Sequence, residues 1–170
     1  IRGTRIDWVQ AGAGPPLLML HGYGGSARWW ARNLAPLACS RTVYALDLPG
    51  FGASRLLGPY SFSRVTDLLA AWMDANGIRS ADVVGHSMGG QLAMLLAAAH
   101  PAKVGALVLI APAGIPFDTH LLGIARQAFK SRAGGDARFT PIVVLGSLRA
   151  GPRIMWQAVG EIRGVDVRPV

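Results

Sequence analysis

Apolar positions along this 170-residue chain form short unbroken runs, separated by stretches where they recur every three or four residues. Leu17-Leu18-Met19-Leu20, Thr42 to Leu46, Ala81 to Val84 and Ala106 to Ile110 belong to the first kind. Runs of that length without period-two alternation read as strands buried on both faces. Ile6 to Val9 reads as a further short strand, closed by Ala11-Gly12-Ala13-Gly14-Pro15. Between the runs lie helical patterns. Ser26 is placed to cap a helix through Leu37 that carries Trp29, Trp30 and Leu34 at helical spacing. A second helix spans about Ser61 to Ala75, stopped by Asn76-Gly77, and a third follows Ser87 to about Ala99, stopped near Pro101. Turn-bounded strands alternating with amphipathic helices predict an α/β domain with a mostly parallel sheet.

From Pro116 to about Val165 the alternation fails, and helical segments with Gly and Pro breaks take its place. The expected division is a core over residues 1–115, a helical insertion over 116–165, and the entrance to another core strand at 166–170. A sheet that stops there leaves an apolar edge bare, so residues 1–170 expressed alone are expected to self-associate.

Composition narrows the class. Half the residues are hydrophobic (51%) and only 15% charged, the profile of a folded globular chain of one-domain size. The longest apolar stretches, Leu92 to Ala99 and Ala106 to Ala113, are about half of a bilayer span, so no transmembrane helix is expected. Ile1 to Arg5 show no positively charged n-region followed by an apolar one, and the default expectation is the cytoplasm, although a chain opening on Ile rather than Met leaves room for a leader before it. Cys39, the single cysteine, has no disulfide or Cys-x-x-Cys partner and is expected to be a buried small hydrophobe.

The net charge of +8 is regional. Between Thr119 and Gly160, Arg126, Lys130, Arg132, Arg138, Arg149 and Arg153 face the lone acid Asp136. No nucleic-acid signature accompanies them, and the aromatic residues do not interleave with the basic ones as a stacking platform requires. A solvated basic face that attracts anionic substrates or a membrane surface is the expectation.

The chemistry concentrates in Gly85-His86-Ser87-Met88-Gly89. A strand ending at Val84 and a helix starting at once force Ser87 into a tight, strained turn, its hydroxyl exposed at the carboxyl edge of the sheet. Gly85 and Gly89 are needed because a Cβ at either would collide in so sharp a bend. The helix aims its amino-terminal N–H groups at the same place. A nucleophile fits this arrangement; so does a plain strand-to-helix turn with a capping serine, and the pentapeptide alone leaves both open.

Two further segments add to it. His21-Gly22-Tyr23-Gly24-Gly25 follows the strand Leu17 to Leu20, and Asp47-Leu48-Pro49-Gly50-Phe51-Gly52-Ala53-Ser54 follows the strand Thr42 to Leu46. Together with the serine turn, in this order and spacing, they resemble the α/β-hydrolase fold family in its branch of capped esterases, lipases and carbon–carbon bond hydrolases. The resemblance is strong over about residues 6–114. It implies a mostly parallel sheet with helices on both faces, a helical cap, and Ser87 as the nucleophile of two-step acyl transfer. The oxyanion donors it implies are the backbone N–H groups of Tyr23 and Met88, with Gly22 shaping the loop, and each such donor contributes about 3–4 kcal/mol of barrier lowering. His21 is expected to hold the loop's shape, and Asp47 to be structural. No cofactor or metal is implied, and neither a nucleotide-binding Gly loop nor a His-rich metal cluster appears.

The resemblance also implies an acid and a histidine later in the chain than the serine, after strands beyond residue 166. The histidines present do not fill the role. His86 neighbours Ser87 on the strand and should point to its opposite side; His21 belongs to the loop; His100 lies past a helix of roughly 20 Å. His120 opens the cap, and Asp118 sits beside a cap hinge at Pro112 to Pro116. The triad acid and histidine are therefore expected to be absent from these 170 residues, as in an incomplete copy. A serine rather than an aspartate at the turn points away from epoxide hydrolases and dehalogenases. Apolar cap residues, among them Phe117, Leu121, Phe139, Leu145 and Trp156, suit either the roof of an acyl pocket or helix faces resting on the core. The expected function is a serine hydrolase of carboxylic esters or related acyl compounds. The alternatives are a hydrolase-fold ligand-binding protein without turnover, a carbon–carbon bond hydrolase, and attachment to a membrane surface through the basic cap.

Overall fold

The computed structural model describes residues 3–114 and 140–168. Five strands, β1 (Trp8–Ala11), β2 (Pro16–Leu20), β3 (Thr42–Leu46), β4 (Ala81–His86) and β5 (Val104–Ile110), form one sheet in the order β1-β3-β2-β4-β5. β1 pairs antiparallel with β3, and every other pairing is parallel. The helices α1 (Ala31–Ala38), α2 (Phe62–Ala75) and α3 (Met88–Ala99) make the parallel crossovers.

β2 shows why its run is apolar throughout. Leu18 and Leu20 point into a core shared with α2 and α3, where Leu68, Leu69, Met73, Leu92 and Leu96 are buried. Leu17 and Met19 point to the other face, against Ala27 and Trp30 at the start of the α1 segment. A strand covered on both sides has no polar face to alternate with.

The described helical segments mostly fall where their patterns placed them. Ser61 caps α2 through its side chain, accepting the Arg64 N–H at 3.4 Å. Ser26 does not cap: it is extended, makes no side-chain capping bond, and precedes a 3₁₀ turn at Ala27–Trp30. The residue after it is fastened from outside the helix, the Ala27 N–H donating to the carboxylate of Asp47 at 2.6 Å.

Three boundaries move as well. The first strand is Trp8–Ala11 rather than Ile6–Val9, since pairing with β3 sets its register, Trp8 opposite Leu46 and Ala11 opposite Val43. Residues 5–7 instead pair with the loop after β3, where Asp47 N–H donates to Asp7 O at 2.9 Å and Arg55 N–H to Arg5 O at 2.8 Å. β4 runs on to His86, two residues past Val84, and β5 begins at Val104. Cys39 is exposed, contrary to its expected burial, because it stands just past the solvent-facing end of α1.

Of the expected cap, residues 140–165 are described, and those before them, His120 and Asp118 included, lie outside the described residues. The helix α4 (Thr140–Gly164) is interrupted at Gly151, whose φ of 74° and ψ of 165° break it just ahead of Pro152. Its second part is fastened to the core: Gln157 Oε1 accepts from Tyr60 N–H at 3.2 Å, and Glu161 Oε2 from Phe62 N–H at 2.6 Å. After it, Val167 N–H donates to Gly114 O at 2.9 Å, and no strand is formed by the described residues there. β5 lies at the sheet edge with Val108 51% and Ile110 42% exposed, and no described segment pairs with its outer side. Among the described residues, no helix is long and apolar enough to cross a membrane.

Candidate active site

The first strand of the parallel set, β2, has β3 on one side and β4 on the other, so the chain's direction of travel across the sheet reverses there. Loops leaving β2 and β4 at their carboxyl ends diverge at that switch and leave a crevice. The register brings Leu20 opposite Gly85, which sets the His21–Gly25 loop beside Ser87.

Ser87 is the single residue between β4 and α3, with φ 51° and ψ −117°. Such a backbone is costly for any residue with a Cβ. It is held by four bonds: the Ser87 N–H donates to Ile110 O at 3.0 Å, and the Ser87 carbonyl accepts from Gly90, Gln91 and Ala113 N–H at 2.9, 3.1 and 3.0 Å. Strain of this kind persists only where surroundings over-determine it. The Ser87 side chain makes no capping bond to α3, so the capping-serine alternative falls away. The residue is half-buried, less open than expected.

The glycines carry steric reasons that the sequence reading gave only in part. A Cβ on Gly85 would stand 2.5 Å from Gly89 O, a collision across the bend. A Cβ on Gly89 would meet Leu20 O at 2.3 Å and His21 O at 2.6 Å, so that glycine lets α3 start hard against the end of β2. On Gly22 a Cβ would lie 2.8 Å from His86 Nδ1 and 3.4 Å from Ser87 Cβ. Gly90, missed in the sequence, gives room to Pro112, whose Cβ would be 2.9 Å from its own.

His21 is fully buried and shapes the loop. Its Nδ1–H donates to Gly22 O at 2.7 Å, and its Nε2 accepts from Leu48 N–H at 3.0 Å, which fixes the neutral tautomer. Burial pushes its pKa down to about 4. Asp47 ties three segments together: its carboxylate accepts from Ala27 and Ala53 N–H, each at 2.6 Å, and its carbonyl accepts from Ser54 Oγ at 2.6 Å.

Met88 follows Ser87 directly, and Tyr23 follows Gly22, the residue that faces the serine. Tyr23 packs on Phe51 with ring centroids 6.3 Å apart, and its hydroxyl donates to Met155 O on α4 at 3.0 Å. Among the described residues no acceptor takes the Tyr23 N–H. Met88 is fully buried, and as the first residue of α3 it offers one of the amides that a helix leaves without an internal acceptor.

No described histidine stands with a carboxylate beside Ser87. His86 turns to the α1 side, stacked on Trp29 at 5.0 Å. Its Nδ1 is buried with no partner among the described residues, and burial lowers its pKa. His100 pairs with Asp67 at 3.1 Å at the far end of α3. Near the loop, a cleft of about 80 Å³ opens between Ser26, Arg28 and Gly52 on one side and Ile142, Leu145 and Arg149 on the other. Its two arginines are exposed and have no carboxylate partner among the described residues.

The chain is 43% identical over 117 residues to the dihydrolipoyllysine-residue acetyltransferase component of the acetoin cleaving system of Cupriavidus necator, covering 67% of this chain and 31% of that protein. It is 41% identical over 120 residues to the 2-hydroxymuconate semialdehyde hydrolase of a Pseudomonas species, covering 68% and 42%. Thus it spans about a third to two fifths of the length of these curated relatives. A bacterial membrane phospholipase A superposes with a TM-score of 0.82 at 27% identity, over 99% of this chain and 63% of that one. The family model of the alpha/beta hydrolase fold matches residues 15–143, more than half of the sequence. With the sheet order, the serine turn and this match in agreement, the chain belongs to the α/β-hydrolase fold family.

Proposed function

We propose that the protein is a serine hydrolase acting on carboxylic esters or related acyl compounds, with Ser87 as nucleophile. The observation that carries this reading is the backbone of Ser87: a non-glycine residue at φ 51°, held by four backbone bonds, with no capping bond from its side chain. In the proposed reaction Oγ attacks the substrate carbonyl carbon while a base takes the hydroxyl proton. The carbonyl oxygen becomes an oxyanion facing the Tyr23 and Met88 N–H groups. Collapse expels the alcohol, which takes up the proton, and leaves an acyl-Ser87 ester. Water then attacks that ester, releasing the acid and restoring the hydroxyl. The base and its orienting acid are not among the described residues, and their assignment belongs to the whole protein. Residues 1–115 act in this reading as the core and 116–165 as its cap.

The similarity to a phospholipase and to a semialdehyde hydrolase supports hydrolytic chemistry at this position. One alternative is a carbon–carbon bond hydrolase, a branch within the family resemblance, and the match to a semialdehyde hydrolase keeps it in view. A hydrolase-fold binding protein without turnover is the other.

A fluorophosphonate probe separates these readings. The intact protein is expected to be labelled on Ser87 within minutes, and Ser87→Ala not at all. An unlabelled intact protein overturns the hydrolase reading in favour of binding. Comparing a p-nitrophenyl ester with a vinylogous 1,5-diketone then decides between ester and carbon–carbon cleavage.

A further inference from the structure

We infer that Gly146 is a positioning residue: through it, the first part of α4 seats directly on the backbone of the Tyr23–Gly25 loop and fixes where the Tyr23 amide stands. The inference rests on the reading of Tyr23 as an oxyanion donor. A Cβ on Gly146 would lie 2.1 Å from Gly24 O and 2.9 Å from Gly25 O. These are main-chain atoms, which cannot swing aside as the end of a side chain can. The contact is reciprocal, because a Cβ on Gly24 would meet Ser147 Oγ at 2.6 Å, and Gly24 already sits at φ 69°. Gly146 is also buried, unlike Val144, Leu145 and Leu148 around it, so this is the point at which that part of the helix touches down.

Glycine is a poor choice inside a helix unless close approach demands it. Two other glycines in the same element mark the contrast, since a Cβ on Gly160 or on Gly151 would meet nothing within 4 Å. The loop is gripped a second time beyond the Gly151 break, where Tyr23 Oη donates to Met155 O. One part of α4 therefore holds the residues after Tyr23, and the other holds its side chain. Inside the crevice, His21 and Gly22 fix the residues before it. An amide clamped from both ends is pre-organised for a developing negative charge, and displacing it by about 1 Å costs up to about 100-fold in rate.

The experiment compares Gly146→Ala with Gly160→Ala in the intact protein, by p-nitrophenyl ester kinetics and by ¹H–¹⁵N shifts and hydrogen exchange of the Tyr23, Gly24 and Gly25 amides. In Gly146→Ala kcat is expected to fall about 10- to 100-fold with KM within about 3-fold, and the three amides to shift and exchange faster. Gly160→Ala leaves both unchanged. Should Gly146→Ala fail to fold, Tyr23→Phe provides the second arm: it removes the Met155 link, and the same amides are expected to exchange faster. A folded Gly146→Ala with wild-type amide shifts, or with wild-type kcat, overturns the inference, as does a Tyr23→Phe that leaves exchange untouched. If the unmodified protein is not acylated at Ser87, the hydrolase reading fails by itself, while the amide shifts still decide whether Gly146 sets the loop.

Discussion

Gly22 and Ser87 face each other across the carboxyl ends of β2 and β4, so closely that a Cβ on the glycine would stand 3.4 Å from Ser87 Cβ and 2.8 Å from His86 Nδ1. Gly22→Ala must therefore move the loop, the serine or the imidazole. Fluorophosphonate labelling of Ser87 is expected to slow by about 10- to 100-fold, the effect of a misplacement on the order of 1 Å. A labelling rate within 2-fold of wild type would show that the loop yields without cost.

The strain at Ser87 opposes stability. Replacing it with glycine removes a Cβ from a φ of 51°, releasing strain on the order of 1–3 kcal/mol, part of which is offset by the freer unfolded chain. Ser87→Gly is expected to raise Tm by about 2–4 °C while abolishing labelling. Ser87→Ala keeps the Cβ and is expected to leave Tm near wild type, so calorimetry of the pair isolates the backbone contribution.

His21 makes stability depend on pH. Its folded pKa, about 4, lies below the ordinary 6.5 because burial opposes the charged form. The unfolded chain therefore binds the extra proton more readily between those values, and protonation favours unfolding. The stabilisation is full above about pH 6.5, is lost as pH falls toward 4, and amounts to about 3 kcal/mol over the whole window. Urea unfolding at pH 7 and pH 5 should show the loss in the wild type and a flatter dependence in His21→Asn.

Asp47→Asn tests structure against chemistry. The carboxylate accepts two backbone N–H bonds at 2.6 Å, and an amide would turn an NH₂ group toward one of them. A loss of about 1–3 kcal/mol is expected on chemical denaturation, with the labelling rate of the folded protein within a few-fold of wild type. A large rate loss at unchanged stability would instead make Asp47 part of the reacting machinery.

Residues 1–170 expressed alone are expected to self-associate. β5, Val-Gly-Ala-Leu-Val-Leu-Ile, carries no charge and no proline, and no described segment pairs with its outer side. Sedimentation velocity should find oligomers, and Val108→Lys should shift them toward monomer.

Much of the architecture was legible because strands covered on both faces leave unbroken apolar runs, as β2 and β3 do. The serine turn was legible for a different reason, since its glycines are demanded by local sterics. What escaped was set by partners distant in sequence. Asp47 takes the N–H of Ala27 beside Ser26, which does not cap, and pairing with β3 moved β1 by two residues. Cys39 was misjudged because a residue type says little about which way a helix end faces. Gly146, interrupting Val143-Val144-Leu145, was a visible signal of close approach. Its partner, 122 residues earlier at Gly24, was not.

The outer margin of β5 ends on the same rim as the serine turn. Every parallel strand in this sheet releases its chain at the rim where Ser87 stands, and Val167 bonds back to Gly114, four residues past the end of β5. Any strand that lies down there in the same direction would discharge its following turn onto that rim, two strand-widths from the serine. Among the described residues nothing pairs with that margin, and the turn after any strand added there would share its rim with Ser87.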